Sequence, residues 1–489
     1  MGAIIPFMGF TPSIDPTAPG CVLDCSNMVP TMRGMKAAPS PVKYGNPPFP
    51  SQVTGAASCE LLNGTYRTFV GNATDLYEVV GSANNKVTRA SGAYTGGLNQ
   101  WRFAQFGNAS LAVNGTNLLQ QSISSGLFAD VAGSPVAPIV EVVQGFVFLL
   151  STTDGTYGVN PHGWWCSGLY DQTNWTPAQA TQCARGVIVD TPGGITAGRA
   201  LGTNIVIFKQ LSMFYGSYQG PPVIWAMNLI SPIVGTPSQE CVINVGTSLI
   251  FLGTDCQVYS FDGTRPVAIG DDVFAWLRTT WSPLYQASVQ SFKDTKRGLI
   301  FWYFCSNNNS SGIPDKCLVY NYLTGKFGRA DAVVETACQS VSGQITWDGL
   351  GSLPGVTTWD TMPKIPYNSA YWSQLSVLPS IIDATHTLQS LSGVATNSSL
   401  TTGWFGDDAA FTYLQGILPR FSAAPQTCGG SAALLKTLGT TPTYVNLPAW
   451  YDGEIACDFS SRWTSVTLNF TGDHEILGAM PRMESAGAI

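Results

Sequence analysis

Six aromatic or leucine positions, Tyr77, Leu119, Trp165, Tyr215, Tyr259 and Tyr320, occupy matching places in six similar stretches of the chain. The steps between them are 42, 46, 50, 44 and 61 residues. Each stretch has an apolar strand-like run, a short polar turn, a second run carrying the aromatic or leucine, a polar hairpin and a return strand. Examples are RTFVGNATDLYEVVGSANNKVTRAS (residues 67–91), SLIFLGTDCQVYSFDGTRPVAIG (248–270) and GLIFWYFCSNNNSSGIPDKCLVYNYLTGKFGRA (298–330). Alternating runs broken by Gly, Asp and Asn turns are the signature of antiparallel hairpins. A period of about 40–50 residues with four strands per unit is that of a β-propeller, in which radial blades leave only short sheet edges. The fold class expected is therefore all-β, a propeller of about six or seven blades.

The flanks differ from the repeats. Residues 1–50 are dense in Pro and Gly, hold no period, and yet contain Val22, Leu23, Met28, Val29 and Met32. That composition predicts an extended arm lying along the body of the protein or a neighbour. The propeller is expected over 51–395, its last unit looser, with QITWDGLG (344–351), YWSQLSVL (371–378) and ATHTLQSLSG (384–393). The one helix expected is DDVFAWLRTTW (271–281), with an Asp cap. From about 396 to 489 the pattern changes to long alternating segments, such as SRWTSVTLNF (461–470), which predict a separate small β-sandwich docked with the arm.

The chain offers little for catalysis. His162, His386 and His474 are its three histidines, far apart in sequence and in no metal-ligand spacing. Asp154, Asp171, Asp190, Asp255 and Asp262 are candidates for paired carboxylates, but each sits where a hairpin turn favours Asp. Trp164 and Trp165 offer faces for a sugar, although blade packing needs large apolar side chains at that place. GITAGRALG (194–202) lacks the lysine and following helix of a phosphate loop, and no G-x-S-x-G elbow occurs. The expectation is a non-enzyme with no catalytic, cofactor-binding or metal-binding residues and no cofactor.

Charge and cysteine content narrow the partners. Only 11% of residues are charged, against the usual quarter, and the formal net charge is −7. No basic cluster exists to grip nucleic acid. So little charge suggests a surface partly buried against other subunits. The twelve cysteines form no C-x-x-C pair, and the N-terminus lacks a signal-peptide pattern. Reduced thiols packed as small apolar groups are expected, which disfavours a secreted, disulfide-bonded binding propeller. No apolar run reaches the length of a membrane span, so no membrane insertion is expected.

GWWCSGLYDQTNWTPA (163–178) resembles the W-W-S-G-L-x-D-x-x-x-W stretch of tail proteins from short-tailed bacteriophages, with Cys166 interrupting the pattern. GGITAGRALGTNIVIFKQLSMFYGSYQGPPVIWAMNLI (193–230), VYSFDGTRPVAIG (258–270), SRWTSVTLNFTGDHEILGAMPRME (461–484) and the opening DCSNMVPTMRGMKAAPSP (24–41) are similar to that family as well. The family is the tail nozzle, or tail hub, of podovirus-type phages. The resemblance implies a structural virion protein: a homo-hexamer beneath the portal's adaptor (head-to-tail connector) ring, forming the conduit for genome ejection. It also implies attachment points for tail fibres or a needle, and localisation in the virion after assembly in the host cytoplasm. Double-stranded DNA would pass through the lumen without specific binding, since a neutral or acidic wall repels phosphate. The arm is expected to make contacts between subunits or rings, and the propeller to fold without it. The alternative is a carbohydrate-binding or carbohydrate-degrading propeller.

Overall fold

The computed structural model describes residues 4–341, 358–361 and 377–488. Seven antiparallel four-stranded sheets follow one another at 53–86, 102–130, 139–187, 195–231, 242–268, 290–329 and 334–393, the seventh taking its fourth strand, Ser40–Lys43, from the arm. In each sheet the first strand lies innermost, beside the first strands of its two neighbours, and the seventh sheet's meets the first's. The sheets therefore close into a ring. This is a seven-bladed β-propeller. Five of the six marker positions stand on the third strand of their blade, and Leu119 immediately precedes it. The long 61-residue step arises from an insertion between blades five and six, the helix Phe274–Thr280 and the 3-10 turn Pro283–Ser288.

Apolar side chains fill the gap between each pair of neighbouring blades. Phe69, Leu76, Ala112 and Phe128 join blades one and two, Leu111, Val147 and Leu149 join two and three, and Phe148, Trp164 and Trp225 join three and four. Phe208 and Phe251 meet edge-to-face between four and five, 5.0 Å apart. The same layering continues through Trp302 and Phe301 to Val53, Val70, Ile382 and Leu388 between seven and one. Each such side chain, fully buried, contributes about 1.5–3 kcal/mol, so closure is worth most where aromatics interlock. Trp101 requires glycine beside it. A Cβ on Gly71 would lie 2.3 Å from the indole, and one on Gly55 would lie 2.1 Å from the Trp101 carbonyl. The indole N–H then donates to Asn72 O at 2.8 Å.

The arm is built into the body. Ser40–Lys43 pairs with Leu388–Gly393 to complete blade seven. Met28–Pro30 and Met35–Ala37 extend blade six, and Val22–Ser26 pairs with Asn397–Thr402 of the sandwich. The propeller boundary expected at residue 51 is therefore corrected, because the outer strand of blade seven belongs to the arm. A further clasp ties blades seven and one. The buried Glu335 carboxylate accepts the Val53 N–H at 2.9 Å and lies 2.8 Å from His386 Nδ1.

The C-terminal segment is a sandwich of two sheets. One orders Val22–Ser26, Asn397–Thr402, Trp463–Thr471, Thr427–Leu435 and Thr443–Leu447; the other contains Met35–Ala37, Glu475–Ala488, Ala410–Ala423 and Ile455–Ser461. It is not a separate body, as the sequence suggested. Its second sheet runs on through Met28–Pro30 into blade six as one ten-stranded sheet. The helix, expected from Asp271 to Trp281, occupies Phe274–Thr280, and its N-cap residue, Val273, makes no side-chain capping bond; Ser13 Oγ of the arm accepts the Ala275 N–H in its place. Asp271 instead accepts a bond from Gln257 Nε2 at 2.8 Å. Of the looser segments, 344–351 and all but the last two residues of 371–378 lie outside the described residues, whereas Leu388–Gly393 is a strand of blade seven.

Candidate functional site: the axis of the propeller

The three histidines are not brought together. His162 stands in blade three with Nδ1 3.3 Å from the buried Lys209 ammonium, which itself donates to Ile188 O and Thr191 O. His386 belongs to the clasp of blade seven. His474 is enclosed in the sandwich against Phe470. The aspartates serve turns: Asp154 accepts from the Thr156 and Tyr157 amides, Asp171 from Thr173, and Asp262 from Thr264. Asp255 accepts from the Gln257 amide and the Tyr259 hydroxyl. Asp190 acts on Lys209 only electrostatically. Trp164 and Trp165 are both buried, the first against Phe148 and directly over Gly186. Among the described residues no group of three or more His, Cys, Asp or Glu side chains is placed to hold a metal ion.

A charged cluster that sequence reading missed lies where the inner strands converge. Arg102 of blade two, Arg199 of four, Glu240 at the entry to five and Lys293 of six line a cavity of about 240 Å³, and Glu141 of blade three stands beside Arg199. Arg199 lies 3.4 Å from Glu141 and 3.7 Å from Glu240, and Arg102 lies 3.4 Å from the other Glu240 oxygen. Backbone groups complete the web. Arg102 donates to Pro138 O, Arg199 to Val242 O, Lys293 to Asn244 O and Ser291 to Glu240 O, at 2.6 to 3.0 Å. The Gln239 side-chain amide bonds both Gly198 N and Gly198 O at 2.7 Å. From blade two to blade six, each inner strand is thus stitched to the next by a side chain.

Burial governs the electrostatics of this web. Desolvation pushes the Glu141 carboxyl up, against the pull of Arg199, and holds the Arg102 guanidinium and the Lys293 ammonium below their ordinary values. Buried charges persist where pairing and hydrogen bonds offset desolvation, which the alternation Arg, Glu, Arg, Glu achieves. The arrangement positions no nucleophile beside a base. The web ties neighbouring inner strands together around a polar cavity of a size to hold waters or a small solute. Sequence offered only isolated charges in or beside short strands, and no linear spacing links positions that only the ring brings together.

No family model matches the sequence, and no curated protein matches it. Among solved structures the chain is similar to human WBSCR16, with 10% identity and a TM-score of 0.34 over 69% of this chain and 94% of that one. It is also similar to the WD40 domain of Pan2 from Neurospora crassa, with 7% identity and a TM-score of 0.38 over 72% of this chain and 94% of that domain.

Proposed function

We propose that this chain is a structural subunit of the tail nozzle of a short-tailed bacteriophage, six copies of which form the conduit for the genome below the portal and adaptor. The observation that carries the reading is the ten-stranded sheet fusing propeller and sandwich. It joins propeller and sandwich through shared strands, which suits a ring subunit that must move as one piece, where a hinged enzyme would keep its domains independent. The motif resemblance over 163–178 and 193–230 supplies the kind of ring. In this reading the lumen lies between copies, and the charged web bridging the inner strands serves to hold each propeller together. A net charge of −7 per copy suits a wall over which phosphates slide. Adaptor, fibres or a needle are the partners in this reading, and no reaction is assigned to the chain.

The test is to mix the purified chain with the adaptor ring and image the product by electron cryo-microscopy. Six copies around an open lumen is the expected result, and a free monomer that ignores the adaptor ring would sink the proposal. A second reading, carbohydrate binding, draws on an open slot between blades two and three lined by Asp154, Tyr157, Trp165 and Trp175. Both tryptophans there are buried, and the exposed ring, Tyr157, is already covered by the Arg185 guanidinium 3.1 Å above it. The slot therefore gives that reading less support, and titration with host polysaccharide decides it.

A further inference from the structure

Sheet edges invite pairing, and natural chains blunt them with charge, proline or brevity. Most free edges of this molecule follow that rule. The outer strands of blades one, two, three, five and seven carry Lys86, Asp130, Arg185, Pro266 and Lys43, and the sandwich strand Ile455–Ser461 carries Asp458. Val22–Ser26, at the other end of its sheet, carries Asp24. The outer strand of blade six is covered by Met28–Pro30. Two edges break the rule. Ile224–Ser231, the outer strand of blade four, is eight residues of IWAMNLIS, and Thr443–Leu447, the last strand of its sandwich sheet, is TYVNL. Neither has a charge or a proline inside it, and each is hydrogen-bonded to one neighbour only among the described residues. Exposed apolar side chains flank both: Val223, Leu229 and Ile233 at the first, Tyr444 and Tyr451 at the second.

We propose that these two edges pair with each other between copies, Thr443–Leu447 of one chain adding to Ile224–Ser231 of the next. The occupant follows from the chain itself, which among the described residues presents two unprotected outer edges on different sheets and guards the other outer edges. Prolines set their lengths, Pro442 and Pro448 outside the shorter strand, Pro222 and Pro232 outside the longer, so five residues fit within eight. Main-chain bonds give affinity in such strand addition, and side chains give register. A contact between two different surfaces of identical chains is head-to-tail, and closes into a ring when the rotation allows. For that closure the inference rests on the nozzle reading; the pairing itself does not.

Mass photometry of the purified chain tests it. The wild-type chain is expected to form species larger than a monomer. Leu229→Lys alone and Tyr444→Lys alone each place a lysine where the other edges already carry protection, and each should give monomers with unchanged near-ultraviolet circular dichroism. Mixed one to one, the two variants should give dimers and nothing larger, because each retains one intact edge. Oxidising an equimolar mixture of Leu229→Cys and Tyr444→Cys chains should yield a crosslinked dimer. Self-association that survives both lysine variants overturns the pairing, as does a Tyr444→Lys chain that dimerises alone, or the loss of both assembly and crosslink. A chain that assembles through these edges yet ignores the adaptor ring still supports the pairing while sinking the nozzle reading.

Discussion

A single imidazole illustrates how this protein treats polar groups in its interior. His474 is fully buried, and its Nδ1 lies 3.1 Å from Gly472 O, so that nitrogen carries the proton and donates. Its Nε2 has no partner and faces an aromatic surround of Phe421 and Phe470. Protonating Nε2 would bury an unpaired N–H and a charge together, so burial holds the pKa below its ordinary 6.5. In the window between the folded and unfolded values the unfolded chain binds the extra proton, so stability rises with pH there. The sandwich is accordingly expected to lose stability as pH falls below about 6.5, before the carboxylates with depressed values, such as Asp75, Asp130 and Asp315, begin to protonate. Urea midpoints measured across pH 7 to 5 should decline for the wild-type chain, and His474→Phe should flatten that decline. An equal slope in both proteins would show that another group titrates. The cysteines follow the same rule of burial. All twelve are unpaired and eleven are buried, and desolvation lifts thiols such as Cys241 and Cys338 to about 12, which makes them packing groups in place of nucleophiles.

Repeating elements were legible in the linear sequence because a hairpin is a local object. Tyr77, Trp165, Tyr215, Tyr259 and Tyr320 all fall on third strands, since the same turn chemistry recurs at the same distance from each. What remained hidden depends on contacts far apart in the chain. Ser40–Lys43 closes a blade whose other strands begin near residue 334, and no property of SPVK announces a partner some three hundred residues away. The axial web was hidden for the same reason. Arg102, Glu141, Arg199 and Glu240 are ordinary single charges until the ring sets them side by side. The arm's true role yields a definite outcome for truncation. Deleting residues 1–50 removes the closing strand together with Phe7, Phe10, Val22, Met28, Val29 and Met35, all buried. At about 1.5–3 kcal/mol each their loss is on the order of the whole stability of a folded domain, about 5–15 kcal/mol. A chain starting at residue 51 should lack a cooperative unfolding transition, and a peptide of residues 1–50 added in trans should restore part of it. A full native spectrum from the truncated chain alone would show that blade seven closes some other way.

The molecule as a whole depends on a narrow joint. Blade six and the sandwich share one sheet, but at the crossing the ladder between Lys326–Arg329 and Met28–Pro30 rests on a single residue pair, Arg329 with Met28. Side chains reinforce it. The Arg329 guanidinium binds Asp24 and Asp331 and lies 5.3 Å from the Trp276 ring centroid and 5.6 Å from that of Phe10, drawing on arm, blade six and the inserted helix at once. Close approach of the two strands requires Gly328, where a Cβ would stand 2.5 Å from Met28 O and 2.7 Å from Pro30 Cδ. Backbone on one side and a proline ring on the other leave no flexible group to yield. Gly328→Val should therefore force the strands apart at a cost of about 1–3 kcal/mol, as overpacking does elsewhere. The effect belongs to the coupling more than to either part, because Val is itself well suited to a strand. Scanning calorimetry of the wild-type chain should give one transition for propeller and sandwich together, and Gly328→Val should split it in two, with the sandwich melting first. If the variant keeps one transition at the wild-type temperature, the two parts are coupled through Arg329 and the apolar core beneath it, and the shared sheet is incidental to the movement as one piece that the ring reading requires.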